Sequence, residues 1–143
     1  MIEAQKKLVE KGIHLSQQRI AIMDYLLKHK THPTAEDIYR DLSPSMPSLS
    51  RTTVYNTLKL FSDHEAVLVL NIDDRNARFD GYTHHHAHFM CSNCEQLYDV
   101  PIPDHQVAIA RANPGLDGFR VRSVQIDYHG LCPRCCAEEV TLK

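Results

Sequence analysis

The 143-residue sequence has no apolar run that approaches the roughly 18–20 residues required for a membrane-spanning helix. Its first seven residues also lack the apolar core and the small-residue cleavage site of a secretory signal. These two absences predict a cytoplasmic protein that does not associate with membranes. In a reducing cytoplasm, closely spaced cysteines are expected to bind metal or to do redox chemistry instead of forming structural disulfides.

The sequence has no overall excess of basic residues, because its formal net charge is −2. The charge is unevenly distributed, however. Residues 1–62 contain nine Lys and Arg against six Asp and Glu, and residues 63–143 contain seven against twelve. The first part is therefore +3 and the second part −5. Since phosphate contact depends on local cations, a DNA-binding amino-terminal domain is compatible with this balance.

Three short helices are predicted in the first half of the chain. Ser16 can cap the first helix, whose apolar positions recur at helical spacing. Pro33 and Thr34 open the second helix, and the prolines of residues 43–47 end it. The third helix begins near Ser50. Its inward face is predicted to consist of Val54, Leu58 and Phe61.

A hairpin is predicted after the third helix, with strands at residues 66–70 and 77–80 and a turn at 73–76. Three helices and a hairpin describe a winged helix-turn-helix domain, which we assign to residues 1–82 including a hinge. Such a domain places its third helix in the major groove of double-stranded DNA. An ordinary surface helix would have the same pattern, so the pattern alone leaves both interpretations open. The expected DNA-binding residues are Arg51, Thr52, Tyr55, Asn56 and Lys59 on the third helix, with Arg19 on the first.

The second half of the chain, residues 83–143, is predicted to be a small α/β domain, which makes the fold class α+β. Residues 86–90 alternate as a strand that places His86 and His88 on the same side. An amphipathic helix is predicted at residues 103–112 and a second strand at 119–128.

Two Cys-x-x-Cys pairs are the strongest metal-binding pattern in the sequence. Cys91, Cys94, Cys132 and Cys135 provide four thiolates, enough to close a tetrahedral shell with no position left for water. We therefore predict structural Zn(II). The alternative is two unrelated pairs or a dithiol redox switch. Cys136 adjoins Cys135 and is not expected to join the same shell.

Four of the five residues from 84 to 88 are histidines, and this density indicates a second metal site. Two imidazoles on one strand face can chelate an ion, and histidine is the commonest transition-metal ligand. Solvated histidines are the alternative interpretation.

Four segments, in their order and spacing, resemble the ferric uptake regulator family of metal-dependent bacterial repressors. The resemblance extends over nearly the whole chain. It implies a homodimer that binds a palindromic operator, with a winged-helix domain and an α/β dimerisation domain in each subunit. The segments are residues 32–39, 53–58, 78–80 and the histidine-rich run that leads into Cys91.

The resemblance also implies a regulatory metal site made of His32, Asp80, His86, His88 and Asp99. Three imidazoles and two carboxylates suit Fe(II) or Mn(II), without selecting between them. The ion would tie the DNA-binding domain to the dimerisation domain. Metal would therefore act as the corepressor, because only the tied state would space two recognition helices correctly.

Two aspartates indicate the branch of the family. Iron-sensing members usually have Glu at the positions of Asp80 and Asp99, whereas members similar to the peroxide regulator have Asp at both, as this chain does. The resemblance then implies that peroxide and Fe(II) generate a hydroxyl radical that oxidises His32 or His86. A further site of iron regulators is not expected, because Ala87 and Val124 occupy its positions. The remaining histidines are expected to be exposed: His84, His85, His105 and His129.

Three other functions compete with a peroxide-sensing repressor. The first is an iron-uptake repressor that senses the Fe(II) level, and the second is a thiol-based redox sensor. The third is a metallohydrolase, which would need an open coordination position and a general base. The sequence has neither a His-x-His-x-Asp-His motif nor a His-Glu-x-x-His helix. We therefore expect a protein that is not an enzyme.

Overall fold

The computed structural model describes residues 1–84 and 86–138, and the chain divides into two compact units, Met1–Thr83 and His84–Lys143. No helix within the described residues is both long enough and apolar enough to cross a membrane.

The first unit has four helices before its hairpin, one more than the sequence predicted. They are α1 (Ile2–Glu10), α2 (Gln17–Lys28), α3 (Ala35–Leu42) and α4 (Arg51–Asp63). Helix α1 was missed because only Ala4 and Leu8, one turn apart, are buried in it. Such a short apolar stripe barely predicts a helix, and packing against α2 supplies the stabilisation that local propensity lacks.

Side-chain caps fix the start of each predicted helix. The Ser16 hydroxyl accepts a hydrogen bond from the Arg19 amide at 3.2 Å, at the start of α2. Thr34 and Asp37 form a reciprocal capping box at the start of α3. Ser50 caps α4 through the Thr53 amide at 3.0 Å. The three predicted helices are thus confirmed.

The core of the first unit lies between its helices and the hairpin. Val54, Leu58 and Phe61 are buried as predicted, against Ile22 and Ile38 among others. The hairpin consists of β1 (Leu68–Leu70) and β2 (Arg78–Asp80), which pair antiparallel. Both strands are shorter than predicted but lie within the predicted ranges.

The second unit contains a three-stranded sheet with β3 (His86–Cys91) in the middle. Strand β4 (Leu97–Pro101) pairs with β3 antiparallel, and β5 (Asp127–Gly130) pairs with it in parallel. Helix α5 (Asp104–Arg111) follows β4 and confirms the predicted helix, and a 3-10 turn spans Pro114–Leu116. The short helix α6 (Pro133–Ala137) follows β5.

The strand predicted at residues 119–128 was largely wrong. Only residues 127 and 128 belong to a strand, β5, and residues 119–126 are neither helix nor strand. Alternating apolar residues predict a strand only where another strand pairs with them, and β3 pairs with this region from Asp127 onward. Phe119, the first residue of the predicted strand, is exposed.

Candidate metal centres

The four predicted zinc cysteines form one cluster in the second unit. The sulfur atoms of Cys91, Cys94, Cys132 and Cys135 all lie within 4.8 Å of one another. Cys91, Cys132 and Cys135 are buried, and Cys94 is partly buried. The structure thus brings together two pairs that are separated by 37 residues in the sequence.

Sheet pairing explains how the two cysteine pairs meet. Cys91 ends β3 and lies beside Gly130 of β5, so that the chain after β5 returns to the same corner. Cys132 is the residue before α6, and its amide donates to the Cys91 sulfur at 3.4 Å. On the other side, the Cys94 amide donates to the same sulfur at 3.5 Å.

Hydrogen bonds and burial shift the pKa values of the thiols in opposite directions. Burial raises the pKa of Cys91, but backbone N–H donors, foremost that of Cys132, outweigh burial and hold it at about 6. The Tyr98 hydroxyl lowers the pKa of Cys132. For Cys135, the Asn93 amide lowers the pKa, yet burial and the neighbouring thiols raise it to about 11. Four thiolates so close together repel one another, and a divalent cation would offset that repulsion.

The distances fit a tetrahedral zinc ion. Sulfur ligands about 2.3 Å from one Zn(II) lie about 3.8 Å apart at tetrahedral angles. The sulfurs of Cys94 and Cys132 are 3.8 Å apart. Asn93 donates its amide to Cys135 at 3.4 Å, and the guanidinium of Arg134 interacts electrostatically with Cys94 and Cys135. These outer groups, together with Tyr98, were not foreseen from the sequence.

In the first unit, two of the five predicted regulatory ligands lie side by side. The His32 Nε2 atom is 3.5 Å from Asp80 Oδ2, and both side chains are buried. Asp80 ends β2, and its other oxygen accepts from the Tyr82 amide at 2.8 Å. Arg78, on the same strand, donates to the carbonyl oxygen of His32 at 3.2 Å.

In the second unit, the other three predicted ligands form a cluster across β3 and β4. His88 is paired directly with Asp99 in the antiparallel register, and His86 lies two residues away on the same face. The Nε2 atoms of His86 and His88 lie 3.3 and 3.4 Å from Asp99 Oδ1. The imidazoles are buried, whereas the Asp99 side chain is 41% exposed.

Both clusters fit a nitrogen and oxygen metal shell. Two ligands about 2.1 Å from one ion lie about 3.0 Å apart at a right angle and about 3.4 Å apart at a tetrahedral angle. The observed 3.3–3.5 Å is close to this range. In addition, His86 Nδ1 lies 2.6 Å from the carbonyl oxygen of His84. A donated N–H there directs the lone pair of Nε2 toward a metal.

The predicted DNA-binding residues lie on the first unit. Arg51, Thr52, Tyr55, Asn56 and Lys59 are all exposed on α4. Arg51 pairs with both carboxylate oxygens of Glu36 and lies over the Tyr39 ring, 4.5 Å from its centroid. Lys59 pairs with Asp63 at 3.3 Å. Arg19 is partly buried at the start of α2 and donates to the His14 carbonyl at 2.8 Å.

The cysteine and histidines without a predicted ligand role are exposed where the structure describes them. Cys136 is exposed, and its thiol lies 3.6 Å from the Leu131 carbonyl oxygen. His84, His105 and His129 are exposed as well, whereas His85 lies outside the described residues. Ala87, at a position of the further site of iron regulators, is fully buried.

Comparison with known proteins identifies the family. The family model described as "Ferric uptake regulator family" matches residues 10–129, most of the chain. This chain belongs to the ferric uptake regulator family. Regulators of this family control transcription, bind DNA and act as dimers, and they are not enzymes. The expected family, the α+β fold class and the winged helix-turn-helix domain are thereby confirmed.

Individual relatives come from both branches of the family. The chain is 37% identical to the peroxide-responsive repressor PerR of Staphylococcus aureus over 133 residues, which are 93% of this chain and 89% of the relative. A solved structure of PerR from Streptococcus pyogenes is 33% identical, with a TM-score of 0.51 over 93% of this chain and 90% of that one. The ferric uptake regulator Fur of Helicobacter pylori has a TM-score of 0.70 at 19% identity, over 92% of this chain and 88% of that one. The last likeness supports the fold alone.

Proposed function

We propose that this regulator is a homodimeric DNA-binding repressor whose corepressor is Fe(II) or Mn(II), and that peroxide releases it from DNA. The regulatory ligands would be His32 and Asp80 of the first unit with His86, His88 and Asp99 of the second. Structural Zn(II) would be held by Cys91, Cys94, Cys132 and Cys135. The observation that carries the proposal is that each unit contains an imidazole and carboxylate cluster with the ligand spacing of a single ion.

A shared ion would couple metal binding to DNA binding. His32 precedes α3, and Asp80 ends the hairpin of the winged-helix unit. Both residues therefore move with the α4 helix that is proposed to enter the major groove. An ion that binds all five ligands better than either cluster alone shifts the population toward one arrangement of the two units. That arrangement is the one proposed to bind a palindromic operator as a dimer.

The surface of α4 supports the DNA-binding part of the proposal. Arg51 and Lys59 are suited to guanine or phosphate, and Asn56 is suited to adenine. Tyr55, which is 55% exposed, can pack on thymine methyl groups or bond to phosphate.

Exposed apolar side chains on the second unit support a homodimer. Ile109 and Phe119 are each 69% exposed, and Tyr128 is 48% exposed. Large apolar side chains that remain in water are typical of surfaces that bind another protein. A second copy of the chain is the proposed partner, as for other members of the family.

Two carboxylates favour peroxide sensing over sensing of the iron level alone. Asp80 and Asp99 have the shorter side chain that the peroxide branch has at these positions. The likeness to PerR proteins, which extends over 93% of the chain, also favours peroxide sensing. Bound Fe(II) would supply the electron that cleaves the O–O bond of peroxide. Overall, one peroxide oxygen adds to an imidazole carbon of His32 or His86 and the other leaves as water, so the imidazole loses two electrons and the peroxide gains two.

The test is a mobility shift on a candidate palindrome with Fe(II) and separately with Mn(II), before and after peroxide. Loss of the shifted band in the Fe(II) sample alone, with one oxygen atom added to His32 or His86 by mass spectrometry, is expected. Loss in neither sample would select the iron-level repressor. Zinc release with every histidine intact would select the thiol-based sensor instead.

A second test concerns the length of the carboxylate side chain. Asp99→Glu should keep metal-dependent DNA binding but slow the release by peroxide, because the longer arm changes the iron shell. Asp104→Glu, at an exposed position of helix α5, is the matched control and should respond like the parent. Equal peroxide sensitivity of the Asp99→Glu variant and the parent would contradict the role assigned to the aspartate.

A further inference from the structure

His32 has a backbone conformation that is unfavourable for this residue. Its φ angle is +57°, in the left-handed region, although it is not a glycine. It also precedes Pro33, which restricts the backbone of the residue before it. A non-glycine residue in this region is strained and persists only where its surroundings hold it. The neighbouring contacts should therefore include groups that impose this conformation.

The guanidinium of Arg78 is one such group. Its Nη1 donates to the His32 carbonyl oxygen at 3.2 Å. Next on β2, the Phe79 amide donates to the Pro33 carbonyl at 2.9 Å. Two consecutive carbonyls, those of His32 and Pro33, are therefore bound to two consecutive residues of β2. The same strand ends with Asp80. Strand β2 therefore contains one proposed metal ligand of the first unit and is hydrogen-bonded to the backbone of the other, His32.

Asp73 fixes the orientation of Arg78. The Asp73 side chain is 2% exposed, and its Oδ2 accepts from Arg78 Nε at 3.1 Å and from Nη2 at 3.0 Å. Its Oδ1 accepts from the Arg75 amide at 2.9 Å, within the turn of the hairpin. Because a guanidinium is planar, the two bonds from Nε and Nη2 to Asp73 largely fix the direction of the third nitrogen, Nη1. That nitrogen is directed at His32.

We propose that Arg78 is a positioning residue for the regulatory metal site. It holds His32 in its left-handed conformation, with Nε2 beside Asp80, and Asp73 connects it to the hairpin turn at residues 73–76. The turn that forms the tip of the wing is thereby part of the support of a metal ligand. This inference rests on the proposed function, in which His32 binds the regulatory ion.

The test is Arg78→Lys, measured by Mn(II) titration of the full-length, zinc-loaded protein, with free Mn(II) followed by electron paramagnetic resonance. Lysine keeps a positive charge beside Asp73 but cannot bond Asp73 and the His32 carbonyl in one fixed plane. We expect the Kd for Mn(II) to rise by about 10- to 100-fold, as for other residues that orient metal ligands. Arg75→Lys is the matched control, because the Arg75 side chain is 64% exposed and makes a long ion pair with Asp73, at 3.9 Å, whose charge lysine keeps. This variant should stay within about two-fold of the parent.

A measurement on the metal-free protein separates positioning from general stability. In Arg78→Lys, hydrogen exchange at the Phe79 amide should speed up, while the amides in the middle of α2 and α4 keep their parental rates. A purely structural role for Arg78 predicts that Mn(II) affinity follows the urea midpoint. Parental Mn(II) affinity in Arg78→Lys, together with weak binding in His32→Ala, would overturn this inference alone. Parental affinity in His32→Ala would overturn the proposed metal site and this inference with it.

Discussion

Replacing Cys135 with serine should unfold the second unit and leave the first unit folded. The two units differ greatly in apolar burial. The first has a core of sixteen buried residues that extends from Ala4 to Phe79. Among residues 84 and 86–138, the buried aliphatic side chains are Ala87, Leu97 and Val107. The second unit must therefore gain much of its stability from the cysteine cluster.

The magnitudes can be compared directly. Full burial of Leu97 and Val107 stabilises by about 1.5–3 kcal/mol each, and the methyl group of Ala87 by about 0.8 kcal/mol. Together these side chains supply about 4–7 kcal/mol. A structural zinc ion contributes on the order of 10 kcal/mol to the folding of a small domain. The zinc ion would therefore contribute more than the aliphatic core, and its loss should leave the second unit below the threshold for folding.

Hydrogen exchange with peptide resolution measures both units in one sample, and native mass spectrometry gives the zinc content. In Cys135→Ser, peptides from β3, β4 and β5 should exchange at the rates of an unfolded chain, while peptides from α2 and α4 keep their protection. Cys136→Ser is the matched control, because this neighbouring thiol is exposed and lies outside the cluster. A zinc-free Cys135→Ser protein in which residues 86–101 keep parental protection would refute the reasoning.

Three further predictions concern the first unit. Phe61→Ala removes a fully buried ring and should lower the free energy of unfolding by about 3–5 kcal/mol, whereas a loss below about 1 kcal/mol in urea unfolding would mean that the core rearranges easily. Thr34→Ala removes half of the capping box and should lower the free energy of unfolding by about 1 kcal/mol in the same assay. Thr52→Ala, at an exposed position of α4, is the control. The hydroxyl of Tyr25 donates a hydrogen bond to Asp41 at 2.6 Å. This bond is the main cause of the lowered pKa of the Asp41 carboxyl, and the hydrogen bond from Arg40 is the second. Since the folded pKa lies below the unfolded value of about 3.9, this stabilisation is present above that pH and is lost as the pH falls through the folded pKa. Tyr25→Phe should therefore destabilise the protein more at pH 6 than at pH 3, and an equal effect at both would contradict the assigned interaction.

The helices with strong local signals were the ones predicted from the sequence. Ser16, Thr34 and Ser50 each cap a helix through a backbone amide three residues later, so the signal and the structure lie within one helical turn. Helix α1 and the residues from 119 to 126 were not predicted correctly, for opposite reasons. The two buried residues of α1, Ala4 and Leu8, were too few to indicate a helix that tertiary packing stabilises. In residues 119–126, alternating apolar residues indicated a strand, but β5 and its pairing with β3 begin only at Asp127.

The candidate ligands could be chosen from the sequence, but their neighbours could not. The spacing of Cys91 and Cys94 and of His86 and His88 is local and depends only on a turn or a strand. The pairing of Asp99 with His88 depends on the register of β3 and β4, which the sequence does not state. The contact from Arg78 to the His32 carbonyl joins residues 46 positions apart.

By itself, the sequence determined which groups of this protein can bind metal, where the four helices α2 to α5 form and to which family the chain belongs. These properties follow from side-chain chemistry and from contacts within a few residues. Tertiary structure alone decided which sulfurs share one corner of the second unit, which carboxylate faces which imidazole, and which arginine holds His32. Such choices depend on strand register and on burial, because hydrogen bonds between distant residues form only where the packed chain brings a donor to an acceptor and excludes water from both.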